Sequence, residues 1–297
     1  MKVFIEFACL IGLACAIVVI ILNLNLICKF VLNNSKRKND MHLFYFRFVL
    51  DILLGISFFI YIGFSFLLEL FPEDYLFLIV LLGLLFFNVA ATRSIIALTI
   101  GIERTVAAYF PKTYQKVQFK FLNWIVISGA IIFGGTEPFV LFGFCSYQME
   151  IPSTCRFFGC AINTCFNSFW SVHRTIIFTT IVILSILLAA KLFILNHFQL
   201  GVTNKMLSKA NRLALIDVCT VFIFDIIPAV CGNLWPIAYI FSFDNVGPYN
   251  FYLKIFGCSI ETIIVSSVIM RSKSKISKNS PVIAISRVTA ISRVIIS

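Results

Sequence analysis

Seven long apolar stretches restrict what this chain can fold into more than any other feature. They lie at roughly 4–32, 43–70, 76–102, 121–144, 172–196, 212–241 and 251–270. A helix rises about 1.5 Å per residue, so about 20 residues cross the ~30 Å hydrocarbon core of a bilayer. Each stretch is that long. Polar punctuation separates them: "NNSKRKND" after the first, "FPEDY" after the second, "PKTYQKVQFK" after the third and "NHFQLGVTNKMLSKAN" after the fifth. The chain is 60% hydrophobic and 12% charged, with 34 phenylalanines among 297 residues. A soluble domain is nearer half apolar and a quarter charged. One soluble core cannot hide that surplus, so lipid is the implied solvent. The ten-residue alternation of a membrane β-barrel is missing. The expected fold is an all-α membrane protein, a seven-transmembrane helix bundle over residues 1–271. A basic, Ser-rich tail follows at 272–297.

The first stretch needs separate treatment. "MKVFIEFACLIGLACA" carries a lysine, an apolar run and an Ala-x-Ala at Ala14 to Ala16, as a cleaved signal peptide would. Glu6 interrupts its start, and the run continues to Val31. An uncleaved first span is the better reading.

Basic residues orient the bundle. Lys29, Lys36, Arg37 and Lys38 follow the first span, and Arg104, Lys112, Lys116 and Lys120 the third. Lys191, Lys205, Lys209 and Arg212 flank the loop between the fifth and sixth. Arg271, Lys273, Lys275, Lys278, Arg287 and Arg293 belong to the tail. Only Lys2, Arg156, Arg174 and Lys254 fall on the opposite side. By the positive-inside rule the richer side is cytoplasmic, which puts the N-terminus outside and the C-terminus inside. The net charge of +11 is then a membrane-face signal and calls for no nucleic-acid partner.

Six of the ten cysteines, Cys9, Cys15, Cys28, Cys219, Cys231 and Cys258, lie within spans and read as small packing residues. Cys145, Cys155, Cys160 and Cys165 cluster between spans four and five, on the expected outer side. An even set in an oxidising compartment implies at least one disulfide, and four cysteines leave three pairings open. No Cys-x-x-Cys spacing or neighbouring histidine pair supports a metal site. Zinc-protease, nucleophile-elbow, phosphate-loop and dinucleotide motifs are all missing, so neither an enzyme nor a cofactor is implied. A retinal-type lysine within span seven is also lacking, because Lys254 lies only a few residues into it.

Charges inside a membrane are expensive and mark function by default. Arg47 and Asp51 lie four residues apart on one face of span two, with Arg47 near enough to the cytoplasm to snorkel. Helical rise places Asp51 about 12 Å into its span, Arg93 about 16 Å above Arg104, and Glu261 about 15 Å into span seven. These three share one layer near the midplane, with Asp225 of "FIFDIIP" nearer the outside. Arg93 therefore needs a carboxylate partner, Glu261 first and Asp51 second. A buried ion pair that fixes helix register and a ligand-linked network are both open readings of this layer.

The end of span three supplies the motif. "ERTVAAYFPKTY" resembles the acid-Arg motif of seven-helix G-protein-coupled receptors, with a proline seven residues after the arginine and a tyrosine three later. The resemblance implies that Glu103 restrains Arg104, the switch toward the G protein, and that Pro111 and Tyr114 shape the docking loop. The plainer alternative is a charge pair at the membrane edge. "DILLG" at Asp51 resembles the receptors' buried aspartate, and Pro228 supplies a kink in span six. Span seven has no Asn-Pro-x-x-Tyr, span six no tryptophan near its kink, and the top of span three no cysteine. Those departures move the chain away from rhodopsin-like receptors. "FRFVLDILLGIS", "ATRSIIALTIGIERTVAAYFP", "CAINTCFNSFWSVH" and "ANRLALIDVCTVFIFDIIP" together resemble the nematode serpentine chemoreceptors of the Srbc class. That resemblance implies a plasma-membrane receptor of chemosensory neurons, with a small external ligand and a heterotrimeric G protein as partners.

A transporter would show repeats in matching halves, and none is visible. A seven-span ligand-gated channel of inverted topology conflicts with the charge bias. The tail reads as phosphorylation sites or as a basic strip against the membrane.

Overall fold

A computed structural model describes residues 2–31, 42–67, 75–111, 114, 119–152, 155, 157–198, 215–216, 219–228 and 249–278. The long helices are α1 (Lys2–Val31), α2 (His42–Leu67), α3 (Phe77–Tyr109), α4 (Phe119–Gly134), α5 (Thr164–Phe198) and α6 (Tyr249–Lys278). A short turn, Thr136–Phe139, and a π-helical turn, Val140–Phe144, extend α4. Six of the described helices are long and apolar enough to cross a membrane. Most of the sixth apolar stretch lies outside the described residues. Within it Phe222–Ile226 forms a second π-turn.

The bundle has its polarity reversed relative to a soluble protein. Phe7, Leu53, Ile60, Trp124, Ile132, Phe139 and Ile186 face outward, while Arg47, Asp51, Arg93, Arg104, Glu137, Asp225, Lys254 and Glu261 are buried. Lipid accepts the first set, and the interior must pair the second. In α2 the buried residues Phe44, Arg47, Phe48, Asp51, Leu54, Phe58, Tyr61 and Ser65 follow a three-to-four repeat, so one stripe faces the bundle. The helix α3 packs against α2, α4 and α5, and α1 against α2 and α6. Two glycines permit close approaches. A Cβ on Gly134 would fall 2.6 Å from the Asn88 carbonyl oxygen, and one on Gly257 would fall 2.8 Å from Phe224 Cβ. Larger residues there would push α4 off α3 and the sixth span off α6.

Three boundaries differ from the sequence reading, each for a local reason. Helix α3 runs to Tyr109 rather than ending near residue 102. Pro111 stops it by holding Phe110 at φ −125°, ψ 61°, off the helical region. Helix α5 begins at Thr164, eight residues earlier than expected. Asn163 caps it, its Oδ1 accepting from the Phe166 N–H at 3.0 Å, and Asn167, Ser168 and Ser171 dilute the hydropathy of its first turns. Span four is broken at Gly135–Pro138, because a proline cannot donate to the fourth carbonyl before it. Pro228 stands just past the Phe222–Ile226 π-turn, which absorbs its missing donor.

The loop between spans four and five is tied down. The four cysteines pair as Cys145–Cys165 and Cys155–Cys160. Phe158 inserts its ring against Phe87, centroids 4.8 Å apart, and its N–H donates to the Tyr61 hydroxyl at 2.8 Å. Tyr147 donates its hydroxyl to the Ala161 carbonyl, and burial pushes that hydroxyl's pKa up, which keeps it a donor. Cys9, Cys15, Cys28, Cys219 and Cys258 are free thiols, while Cys231 lies outside the described residues.

Candidate functional site

Two buried charge clusters each include a residue of α6, Glu261 in the inner and Lys254 in the outer. The inner one joins three helices. Arg93 Nε donates to Asp51 Oδ1 at 2.5 Å, and its Nη2 donates to Glu261 Oε2 at 2.8 Å. Arg93 is 2% exposed and meets both of the carboxylates considered for it. Glu261 Oε1 also takes Arg47 Nη2 at 2.5 Å. Arg47 therefore does not snorkel to the membrane face as expected. It is one turn from Asp51 on the buried stripe, where a carboxylate outcompetes the interface. Two arginines balance two carboxylates, which offsets the desolvation that burying each would cost. One residue beyond Glu261, Thr262 accepts a bond from Asn23 Nδ2 at 3.2 Å, tying α1 to the same level.

The outer cluster centres on Asp225. Its Oδ1 accepts from Arg174 Nη2 at 2.6 Å and from Lys254 Nζ at 3.1 Å. Asp225 thus does not join Asp51, Arg93 and Glu261 directly. The sequence reading placed Arg174 and Lys254 among outer-side charges. The early start of α5 carries His173 and Arg174 more than two turns into the helix, and Lys254 lies on the buried face of α6. Arg174 stacks over Trp170 at 4.6 Å and Phe178 at 5.1 Å, and Lys254 over Phe178 at 5.3 Å.

A cavity of about 30 Å³ opens beside this cluster. That is room for about one or two waters, so an organic molecule has to part its walls to enter. Phe86, Phe87 and Phe251 form its apolar wall, with ring centroids 4.9 Å apart for Phe86–Phe251 and Phe87–Phe251. Its polar wall holds His173, Arg174, Lys254 and Glu137. Glu137 was missed in the sequence, although a carboxylate beside Pro138 within an apolar stretch is the signal that identified the others. A second, narrow crevice of about 10 Å³ lies between the clusters, lined by Asp225 and Lys254 and by Arg93 and Glu261. Lys254 and Glu261 are seven residues apart, two turns along one face of α6.

At the opposite end of α3, Glu103 and Arg104 are both buried, two turns inside the helix rather than at its edge. Arg104 Nη2 lies 3.4 Å from Glu103 Oε1, a long contact, and the guanidinium sits over the Phe44 ring at 5.6 Å. Tyr114 makes the shorter bond to Glu103, its hydroxyl donating at 2.7 Å. The structure thus joins Glu103, Arg104 and Tyr114, and leaves Pro111 exposed as the helix stop.

No curated protein matches the chain. The profile described as "Serpentine type 7TM GPCR chemoreceptor Srbc" matches residues 1–273. That stretch holds the cavity, both charge clusters and the Glu103–Arg104–Tyr114 group. This multi-pass membrane protein belongs to the Srbc family of serpentine seven-transmembrane chemoreceptors.

Proposed function

We propose that the protein is a chemosensory G-protein-coupled receptor of the plasma membrane, placed in sensory neurons with its N-terminus outside. A small external molecule enters the cavity beside Asp225, and a heterotrimeric G protein docks at the Arg104 end. One observation carries this reading. Helix α3 carries both cavity-lining residues and the residues that match the receptor switch. Phe86, Phe87, Ala90, Ala91 and Ser94 line the cavity from the middle of the helix, and Arg104, toward its end, follows Arg93 by eleven residues, about 16 Å of helix. A ligand that displaces Lys254 or Arg174 from Asp225 reaches Arg93 and Glu261 across the shared crevice. Any shift of Arg93 is then delivered along α3 to Glu103 and Arg104. In the resting state Tyr114 and Glu103 hold the docking loop to the helix end.

Ligand-dependent nucleotide exchange on a co-expressed G protein tests the reading. Arg104→Ala should abolish exchange while surface expression persists, and full signalling by that variant would refute the coupling role. An N-terminal tag should bind antibody on intact cells; a tag reached only after permeabilisation would reverse the topology.

A further inference from the structure

The cavity wall contains one carboxyl group that no described residue satisfies. Glu137 is 2% exposed, and among the described residues neither of its oxygens has a hydrogen-bond partner. A buried carboxylate without donors carries a large desolvation penalty. His173 approaches it, with Nε2 3.8 Å from Oε1, beyond hydrogen-bond reach. The other ring nitrogen explains why His173 does not help. Nδ1 lies 3.1 Å from the Phe169 carbonyl oxygen, which can only accept, so Nδ1 carries the proton. In the neutral ring Nε2 is then a second acceptor, turned toward the first. Two acceptors 3.8 Å apart on a cavity wall leave room for a donor that bonds to both. The cations in the same cavity are not that donor, because Arg174 and Lys254 both share Asp225. What the wall lacks is therefore a hydrogen-bond donor, and a positively charged donor also stabilises Glu137 as the carboxylate, the form that burial alone disfavours.

We propose that the ligand class of this cavity is the primary amines with a compact apolar or aromatic body. The ammonium group bonds Glu137 and His173, and the body parts the aromatic wall of Phe86, Phe87 and Phe251 and packs against it. An ammonium has three donors and no acceptor, which matches an acceptor pair that a neutral alcohol fills only in part. Aromatic faces around the site further favour a cation over an anion. The proposal rests on the reading of the cavity as the receptor's ligand site and adds the chemistry of what enters it.

The test is binding to the full-length purified receptor, read as thermal unfolding without any G protein. The probes are phenethylamine and isoamylamine, their alcohols, and the anions phenylacetate and isovalerate. The amines should raise the unfolding temperature in a dose-dependent way, and the alcohols and anions should not at equal concentration. Glu137→Gln, which keeps the shape and loses the charge, should weaken amine binding about tenfold or more. The same variant without ligand should unfold no earlier than the wild type, because the carboxylate it removes has no partner. Equal protection by an alcohol or an anion would overturn the proposal. So would failure of both amines, equal amine binding by Glu137→Gln, or a ligand-free Glu137→Gln protein that unfolds earlier, as loss of a structural ion pair with His173 would cause. Since no G protein takes part, failure here leaves the Arg104 exchange assay to judge the receptor reading by itself.

Discussion

The two charge clusters use the same residue types in opposite ways. Around Arg93, two arginines meet two carboxylates, with contacts of 2.5 to 2.8 Å across α2, α3 and α6. Beside the cavity, Asp225 is shared by two cations, while Glu137, on the same polar wall as those cations, has no hydrogen bond among the described residues. The first arrangement is matched within the protein and functions as a lock. The second is incomplete, and its shortfall faces a cavity of about 30 Å³. Buried charge by itself therefore does not distinguish a structural site from a receiving one. The presence or absence of a partner does.

Mutations can break that contrast or sharpen it. The largest effect is expected at the lock. Arg93→Leu strands Asp51 and Glu261 against each other and should cost about 3–5 kcal/mol, read as earlier thermal unfolding of the purified protein. If Arg93→Leu and Glu137→Leu shift unfolding by the same amount in the same direction, the two clusters do not differ as described. Next comes the tether of the loop near the cavity. Cys145→Ser with Cys165→Ser should cost about 2–4 kcal/mol, and it should affect amine binding more than the Arg93 cluster. Proteolysis of the loop in both forms measures it. A smaller effect is expected where α5 begins. Asn163→Ala removes a helix cap worth about 1 kcal/mol and should loosen the turns that present Trp170, His173 and Arg174. Hydrogen exchange confined to the start of α5, with the inner cluster unchanged, is the expected pattern. The smallest stability change belongs to Tyr114→Phe. It removes one hydrogen bond to Glu103, worth about 1 kcal/mol, and should raise ligand-independent nucleotide exchange. Unaltered basal exchange would show that Tyr114 does not restrain the switch.

Element by element, the sequence conveyed depth well and direction poorly. Helical rise placed Asp51, Arg93 and Glu261 in one layer, and in the structure they touch. The same reasoning put Arg47 at the membrane face. Rise gives a residue's height, but only packing gives the side of the helix that faces a neighbour. Hydropathy also shortened α3 and α5. Windowed averages fall wherever Glu103, Arg104, Asn167 or Ser171 enters, although Glu103 and Arg104 partner each other inside the helix and Asn163 caps the turn that holds Asn167. Glu137 was passed over for a related reason. Its neighbours are apolar, and nothing local shows whether such a carboxylate is paired.

What could be read without coordinates was a set of one-dimensional quantities. They are the number of long apolar stretches, the helical class, the placement of charge along each span, and the motif with Glu103 and Arg104 that resembles the receptors. Each depends only on residues near in sequence, through rise per residue and the cost of charge in hydrocarbon. Tertiary structure alone decided that Arg93 is shared by α2 and α6, that Asp225 goes to Arg174 and Lys254, and that Glu137 is left facing the cavity. Those outcomes follow from the rotation of each helix about its axis and from which helices are adjacent. Many weak contacts between residues far apart in the chain fix both, and no short stretch of sequence contains them.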